Sequence, residues 1–219
     1  MIITVINQKG GVGKTTTSVN LAYVLSKSKK VGLLDLDPEG GSTISLGIRK
    51  AEQELPIGAN FINIHGIDLF YAHVGLLNKE MNGEIDEVTK EIKSSENNHD
   101  VLIIDTPPNL GTLSVSAMLV ADKVIAPVTP LFLSIEAVKN LGSRLQSLEK
   151  RAIAFTNASN KPIKVDLQSI SFIDTYIPNS KIFQEAVRLG IPATKYEEVK
   201  SKKGKIWSSY DKLSKYIIE

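Results

Sequence analysis

The sequence predicts an α/β protein of three layers with a mainly parallel central sheet. Three observations predict it. The runs Ile2-Ile3-Thr4-Val5-Ile6, Val31-Gly32-Leu33-Leu34-Asp35-Leu36 and Val101-Leu102-Ile103-Ile104-Asp105 are nearly continuous in apolar residues, as strands buried on both faces are. Between such runs the apolar residues fall at helical spacing, first at Val19, Leu21, Ala22, Val24 and Leu25. At 219 residues, with 42% hydrophobic and 23% charged side chains, the chain suits one domain spanning 1–219 with a substantial core.

Composition removes several classes of chemistry. There is no cysteine, which excludes disulfides, thiol catalysis and cysteine-held zinc or iron–sulfur centres, and which fits a reducing cytoplasm. The three histidines are scattered and offer no metal spacing. No apolar run approaches the ~20 residues of a membrane span, and no signal or transit peptide is expected before the first strand.

The stretch Asn7 to Thr17, NQKGGVGKTTT, lies between the first strand and the first helix. Strand, glycine-rich loop and helix in that order suit a phosphate: the glycines let successive N–H groups turn inward, and the positive end of the helix faces the same point. The expected nucleotide-binding set is Gly10, Gly11, Val12, Gly13, Lys14, Thr15 and Thr16. Lys14 supplies a charge for the β- and γ-phosphates, and the Thr15 hydroxyl is placed to ligate Mg²⁺, so the implied guest is a nucleotide triphosphate with Mg²⁺.

The second strand carries Asp35 and delivers Asp37 to its carboxyl edge, where ligands of an open parallel sheet gather. The third buried run ends in Asp105, the Walker B pattern, and Asp105 is expected to hold Mg²⁺ through a water. Asp35 is expected as a supporting group, a candidate for the metal's surroundings. After Asp105 the segment Thr106-Pro107-Pro108-Asn109-Leu110-Gly111 leaves regular structure, since two prolines fix the backbone and remove two N–H groups. Residues 49–98 carry little signal: short strands are expected at Phe61–Ile64 and Leu69–Ala72, and one solvated helix from Glu80 to Ser95. Further on come a helix from Thr112 to Ala121, a strand Lys123–Val128, an amphipathic helix through Ile135, Val138, Leu141, Leu145 and Leu148, and a strand Ala152–Thr156 leading to Asn157 at the edge where a base would lie.

The loop KGGVGKT, with Lys9 directly before the paired glycines, resembles the deviant Walker A ATPases that include ParA, Soj and MinD. The likeness extends to DLDPEGGST at residues 35–43, similar to switch I, to Ile104–Gly111, similar to switch II, and to Ile177-Pro178 with the helix after it. The chain looks like a small ParA/Soj-type segregation ATPase of the archaeal sort. Residue 2 already begins a strand, so the helix-turn-helix extension of large plasmid ParA proteins, and with it site-specific repression, is not expected. The resemblance implies that Lys9 reaches across a dimer interface to the partner's nucleotide. It also implies that Asp37 orients or deprotonates the attacking water, making Lys9, Lys14 and Asp37 the catalytic set, and that Asn157, joined by Pro178, contacts adenine.

Residues 176–205 hold seven basic side chains and three acidic ones, a net of +4 in a chain whose net charge is +2. Such a cluster binds phosphate backbones without reading bases; it is equally the composition of a lysine-rich solvated surface. The resemblance favours nonspecific binding of double-stranded DNA, through Lys181, Lys202, Lys203 and Lys205. It further implies an ATP-dependent homodimer able to build higher assemblies, weak ATP hydrolysis stimulated by a ParB-like centromere-binding protein, plasmid or chromosome partition, and residence on the nucleoid in the cytoplasm. A MinD-like membrane-positioning ATPase is the rival. Its support is a stripe of Ile206, Tyr210, Leu213 and Ile217 flanked by lysines, which fits either lipid or the packing of a final helix. Zero cysteines exclude the cluster-bridged dimers of the iron-protein branch.

Overall fold

In the computed structural model, which describes residues 1–96, 98–201 and 204–218, eight strands form a single sheet. In chain order the elements are β1 (Ile2–Val5), α1 (Lys14–Leu25), β2 (Val31–Asp35), α2 (Gly41–Ser45), β3 (Ile62–Ile64), β4 (Ile67–Phe70), α3 (Gly75–Asn82), α4 (Ile85–Ser95) and β5 (Val101–Asp105). They continue with α5 (Thr112–Val120), β6 (Lys123–Val128), α6 (Phe132–Ser147), β7 (Ala152–Thr156), β8 (Ile170–Tyr176), α7 (Ile182–Arg188), α8 (Ala193–Ser201) and α9 (Lys205–Ile218). The strand order is β3-β4-β2-β5-β1-β6-β7-β8, and every neighbouring pair is parallel except β3–β4.

The three layers follow from the two-residue period of a strand. Val101 and Ile103 of β5 join Ile3, Val5, Val31 and Leu33 in a core shared with α1 and α9. Their neighbours Leu102 and Ile104 face the other way, into a core with Val88 and Ile92 of α4 and Leu113 and Ala117 of α5. A third cluster packs β6 and β7 against α5 and α6. Both sides of the central strands are therefore covered, which is why those strands read as unbroken apolar runs.

Three expectations need correction. The single helix from Glu80 to Ser95 is two helices. Gly83 is extended (φ −73°, ψ 146°), and its N–H caps Lys79 while a Cβ there would press on the Lys79 carbonyl, so the chain turns and restarts at Ile85. Nor is α4 simply solvated, since Val88 and Ile92 are fully buried. The strand expected at Leu69–Ala72 begins two residues earlier, because His65 and Gly66 both take positive φ and close a tight hairpin in which Ile64 pairs with Ile67. Strand β8, at the opposite edge, was not expected: its burial alternates, as an edge strand's does, and gives no apolar run.

The C-terminal stripe is core. Ile206, Tyr210, Leu213 and Ile217 are each at most 1% exposed, and Trp207 meets Tyr23 of α1 edge to face at 6.0 Å. No helix among the described residues is long and apolar enough to cross a membrane.

Candidate nucleotide-binding site

The carboxyl ends of β1, β2 and β5 converge on the amino end of α1. Gly13 precedes that helix in the left-handed region (φ 94°), and a Cβ on it would overlap the Asn157 amide, so the turn admits glycine alone. The loop is pinned from beneath. The buried Asn7 donates its amide to the Pro127 carbonyl at 2.9 Å and accepts the Lys9 N–H at 3.0 Å. Asn157 donates to the Val12 carbonyl at 2.7 Å. Gly10 and Gly11 are left exposed, with their backbone open to a ligand.

Gly10, Gly11, Gly13, Lys14, Thr15, Thr16, Asp37 and Pro108 line one cavity of about 300 Å³. Lys14 is 7% exposed, and burial lowers its ammonium pKa against the opposing pull of Asp105 and Asp37. This is a buried cation, without a carboxylate in salt-bridge contact among the described residues, held where triphosphate charge would arrive. Beneath it lie two carboxylates. Asp35 accepts both the N–H and the hydroxyl of Thr43, at 2.7 and 2.6 Å; Asp105 accepts the Ser42 hydroxyl at 2.7 Å and lies 3.2 Å from that of Ser18. Burial raises the pKa of both, Asp105 adding repulsion at Asp35, while the hydrogen bond from Ser42 counters the rise at Asp105.

The donor set fits Mg²⁺, which keeps water and phosphate ligands in preference to an all-protein cage. No group of three or more His, Cys, Asp or Glu side chains able to hold a metal occurs among the described residues. Thr15 lines the cavity, so its hydroxyl would be the direct ligand, with the buried Asp105, held by the Ser18 and Ser42 hydroxyls, in support. Asp37 sits on the cavity wall at the start of a turn, its carboxylate accepting the Glu39 N–H at 2.9 Å.

The expected residues are not all brought together. Lys9 is exposed and does not line the cavity. Asn157 lies under the phosphate loop with its amide nitrogen engaged by Val12, as a strut for the loop. Pro178 lines a different cavity of about 530 Å³, with Thr175, Tyr176, Lys205, Ser208 and Lys212. Lys181 precedes α7 and Lys205 opens α9, both exposed, whereas Lys202 and Lys203 lie outside the described residues. Ser42 and Thr43 were missed as functional residues. Their signal was present in the run Gly40-Gly41-Ser42-Thr43, where Gly40 takes φ 72° and α2 begins, so that two hydroxyls are aimed back at the strand-end aspartates.

A glycine loop with Lys-Thr at a helix start, set above strand-end carboxylates of a parallel sheet, defines the P-loop nucleotide-binding fold. The family profile described as "AAA domain" matches residues 1–67 and 59–159. The chain is 35% identical over 168 residues to the sporulation initiation inhibitor protein Soj of Bacillus subtilis, covering 68% of this chain and 66% of that protein, just under two thirds of its length. It is 29% identical over 248 residues to the chromosome-partitioning ATPase Soj of Treponema pallidum, covering 97% and 95%. Among solved structures, the septum site-determining protein MinD of Pyrococcus horikoshii, complexed with Mg-ADP, superposes with a TM-score of 0.78 at 22% identity, covering 99% of this chain and 95% of that one. The chain belongs to the AAA-domain family and, within it, to the ParA/Soj-type ATPases.

Proposed function

We propose that the protein is an ATP-dependent DNA segregation ATPase, with residues 1–219 acting as one unit. The observation that carries this is the placement of Lys14, Thr15 and Asp37 around one cavity with Asp105 directly below. ATP binds with its phosphates on the loop, Lys14 against their charge, and Thr15 ready to ligate Mg²⁺ with Asp105, through water, and Asp35 in support. Asp37 orients or deprotonates the water that attacks the γ-phosphate, giving ADP and phosphate at a low intrinsic rate. Lys9, exposed on the outer side of the loop, serves the nucleotide of a second copy, so that ATP pairs two subunits.

The paired form binds double-stranded DNA without sequence preference, through Lys181 and Lys205 together with Lys202 and Lys203. Hydrolysis, stimulated by a ParB-like centromere-binding protein, releases it, and the cycle positions a chromosome or plasmid on the nucleoid. The printed names of the Soj relatives support this reading, as does the exposure of Lys181 and Lys205. The membrane-positioning alternative loses its surface, because the stripe of α9 is packed against α1 and β8.

The test is a salt titration of affinity for two unrelated duplexes, with ATP and without. Both should bind alike, only with ATP, with log K falling by about 0.9 per log unit of salt for each phosphate neutralised. A strong preference for one sequence, or ATP-dependent liposome flotation without DNA binding, would overturn the proposal.

A further inference from the structure

Helix α5 begins directly after the Thr106–Gly111 loop, yet it has no side-chain cap of its own: its N-cap is Gly111. The missing acceptor comes from another helix, since Glu80 of α3 accepts the Leu113 N–H at 2.9 Å across 33 residues of sequence. A carboxylate at a helix amino end meets both an orphan N–H and the positive end of the dipole. The fit around it is close. A Cβ on Gly111 would overlap the Glu80 carboxylate, although the backbone of Gly111 (φ −80°, ψ −165°) is one that alanine adopts freely. Glycine at 111 thus leaves room for Glu80.

Helix α3 is itself anchored. Leu76 is buried in the core with α4 and α5, and Lys79 is paired with Glu91 of α4 at 2.8 Å. Glu80 therefore projects from a fixed element to the point where the loop rejoins the fold. The loop's other end is fixed by Asp105 and by the Thr106 hydroxyl, which donates to the Val5 carbonyl at 2.9 Å, and Pro108 within it lines the nucleotide cavity.

We propose that Glu80 is a positioning residue for the Thr106–Gly111 loop: by capping α5 from α3, it sets the geometry in which Pro108 closes the nucleotide cavity. This rests on the ATPase reading, and its tests are separable from that reading.

Four proteins decide it: Glu80→Ala, Glu80→Gln, Gly111→Ala and the double variant Glu80→Ala/Gly111→Ala. With the cap gone, kcat should fall about fivefold while KM for ATP stays within about twofold, the fall being the worth of one helix cap. Glu80→Gln, whose amide oxygen still accepts, should recover most of the rate. Gly111→Ala should resemble Glu80→Ala because its methyl displaces the carboxylate, and the double variant should be no worse than either single one, a non-additivity expected only if the two side chains share one site. Amide hydrogen exchange at Leu113, which requires no turnover, should accelerate in Glu80→Ala and in Gly111→Ala but not in Glu80→Gln. A lowered melting temperature with unchanged kcat, unchanged exchange at Leu113, or full additivity of the two substitutions would overturn the proposal. A wild type that binds no ATP yet shows the exchange pattern would overturn the ATPase reading and leave the Glu80 cap standing.

Discussion

Asp35 and Asp105 are register partners on adjacent parallel strands, both essentially without solvent exposure and both on the face covered by α1. Two carboxylates so placed repel each other, and among the described residues neither has a cation in hydrogen-bond contact; hydroxyls and backbone N–H groups of α1, α2 and the turn between β2 and α2 hold them instead. The stress is greatest at Asp35, where burial and the Asp105 charge act together. A divalent cation held nearby would relieve it.

Asp35→Asn removes one charge and retains an oxygen for Thr43. The nucleotide-free variant should melt at or above the wild-type temperature, and the increase in melting temperature on adding Mg²⁺ with nucleotide should shrink, both read by a thermal scan. A fall of more than about 5 °C without ligand, equivalent to roughly 2 kcal/mol for a protein of this size, would mean that the charge itself stabilises the fold.

Lys14→Ala should abolish ATP binding. Lys9→Ala should leave binding by the single subunit measurable while impairing ATP-dependent pairing or hydrolysis. The contrast follows from position, since Lys14 is 7% exposed within the cavity and Lys9 is exposed outside it. Isothermal titration and sedimentation of both variants check it, and equal loss of affinity would count against a role for Lys9 across an interface.

Asp37→Ala should retain ATP and Mg²⁺ but hydrolyse at least about tenfold more slowly, in keeping with loss of a group that positions or deprotonates water. It should accumulate as the DNA-bound form. Partner-stimulated phosphate release at the wild-type rate would remove Asp37 from the mechanism.

Asn157→Ala separates a strut from a base contact. If the side chain acts through its bond to Val12, affinity should fall by a similar factor, about fivefold, for ATP, GTP and inorganic triphosphate, since one hydrogen bond of about 1 kcal/mol is lost beneath the loop. Loss confined to ATP in a competition assay would restore the adenine contact.

The sequence carried the centre of the fold better than its edges. Strands β1, β2 and β5 are buried on both faces and are spelled in continuous apolar letters, and the loop between β1 and α1 has a spacing set by the phosphate it suits. Strand β8 alternates and could not be told from loop, while the break at Gly83 depended on its extended backbone and on how α3 and α4 each pack against α5. Within the site, the placement of Lys14, Thr15, Asp37 and Asp105 was legible because each lies within two residues of the end of an element. Ser42, Thr43, Glu80 and the Asn157–Val12 bond were not, because each acts on a residue supplied by another stretch of chain, up to 145 residues away for Asn157. The destination of the α9 stripe was likewise open until α1 was seen to cover it.

Strand β1 precedes every other strand of the sheet along the chain yet sits in the middle of it, and its two neighbours are β5 and β6. Ile2 and Ile3 must therefore wait for Leu102 and Ile103 on one side, and Ile3 for Lys123 on the other, before either edge is satisfied. During that interval an apolar strand and the glycine loop behind it have no sheet to join, and closing so long a loop is slow. Nucleotide added to a growing chain should find no pocket until residues beyond Val128 have emerged, so ribosome-bound fragments cut short of that point are the ones expected to need a chaperone.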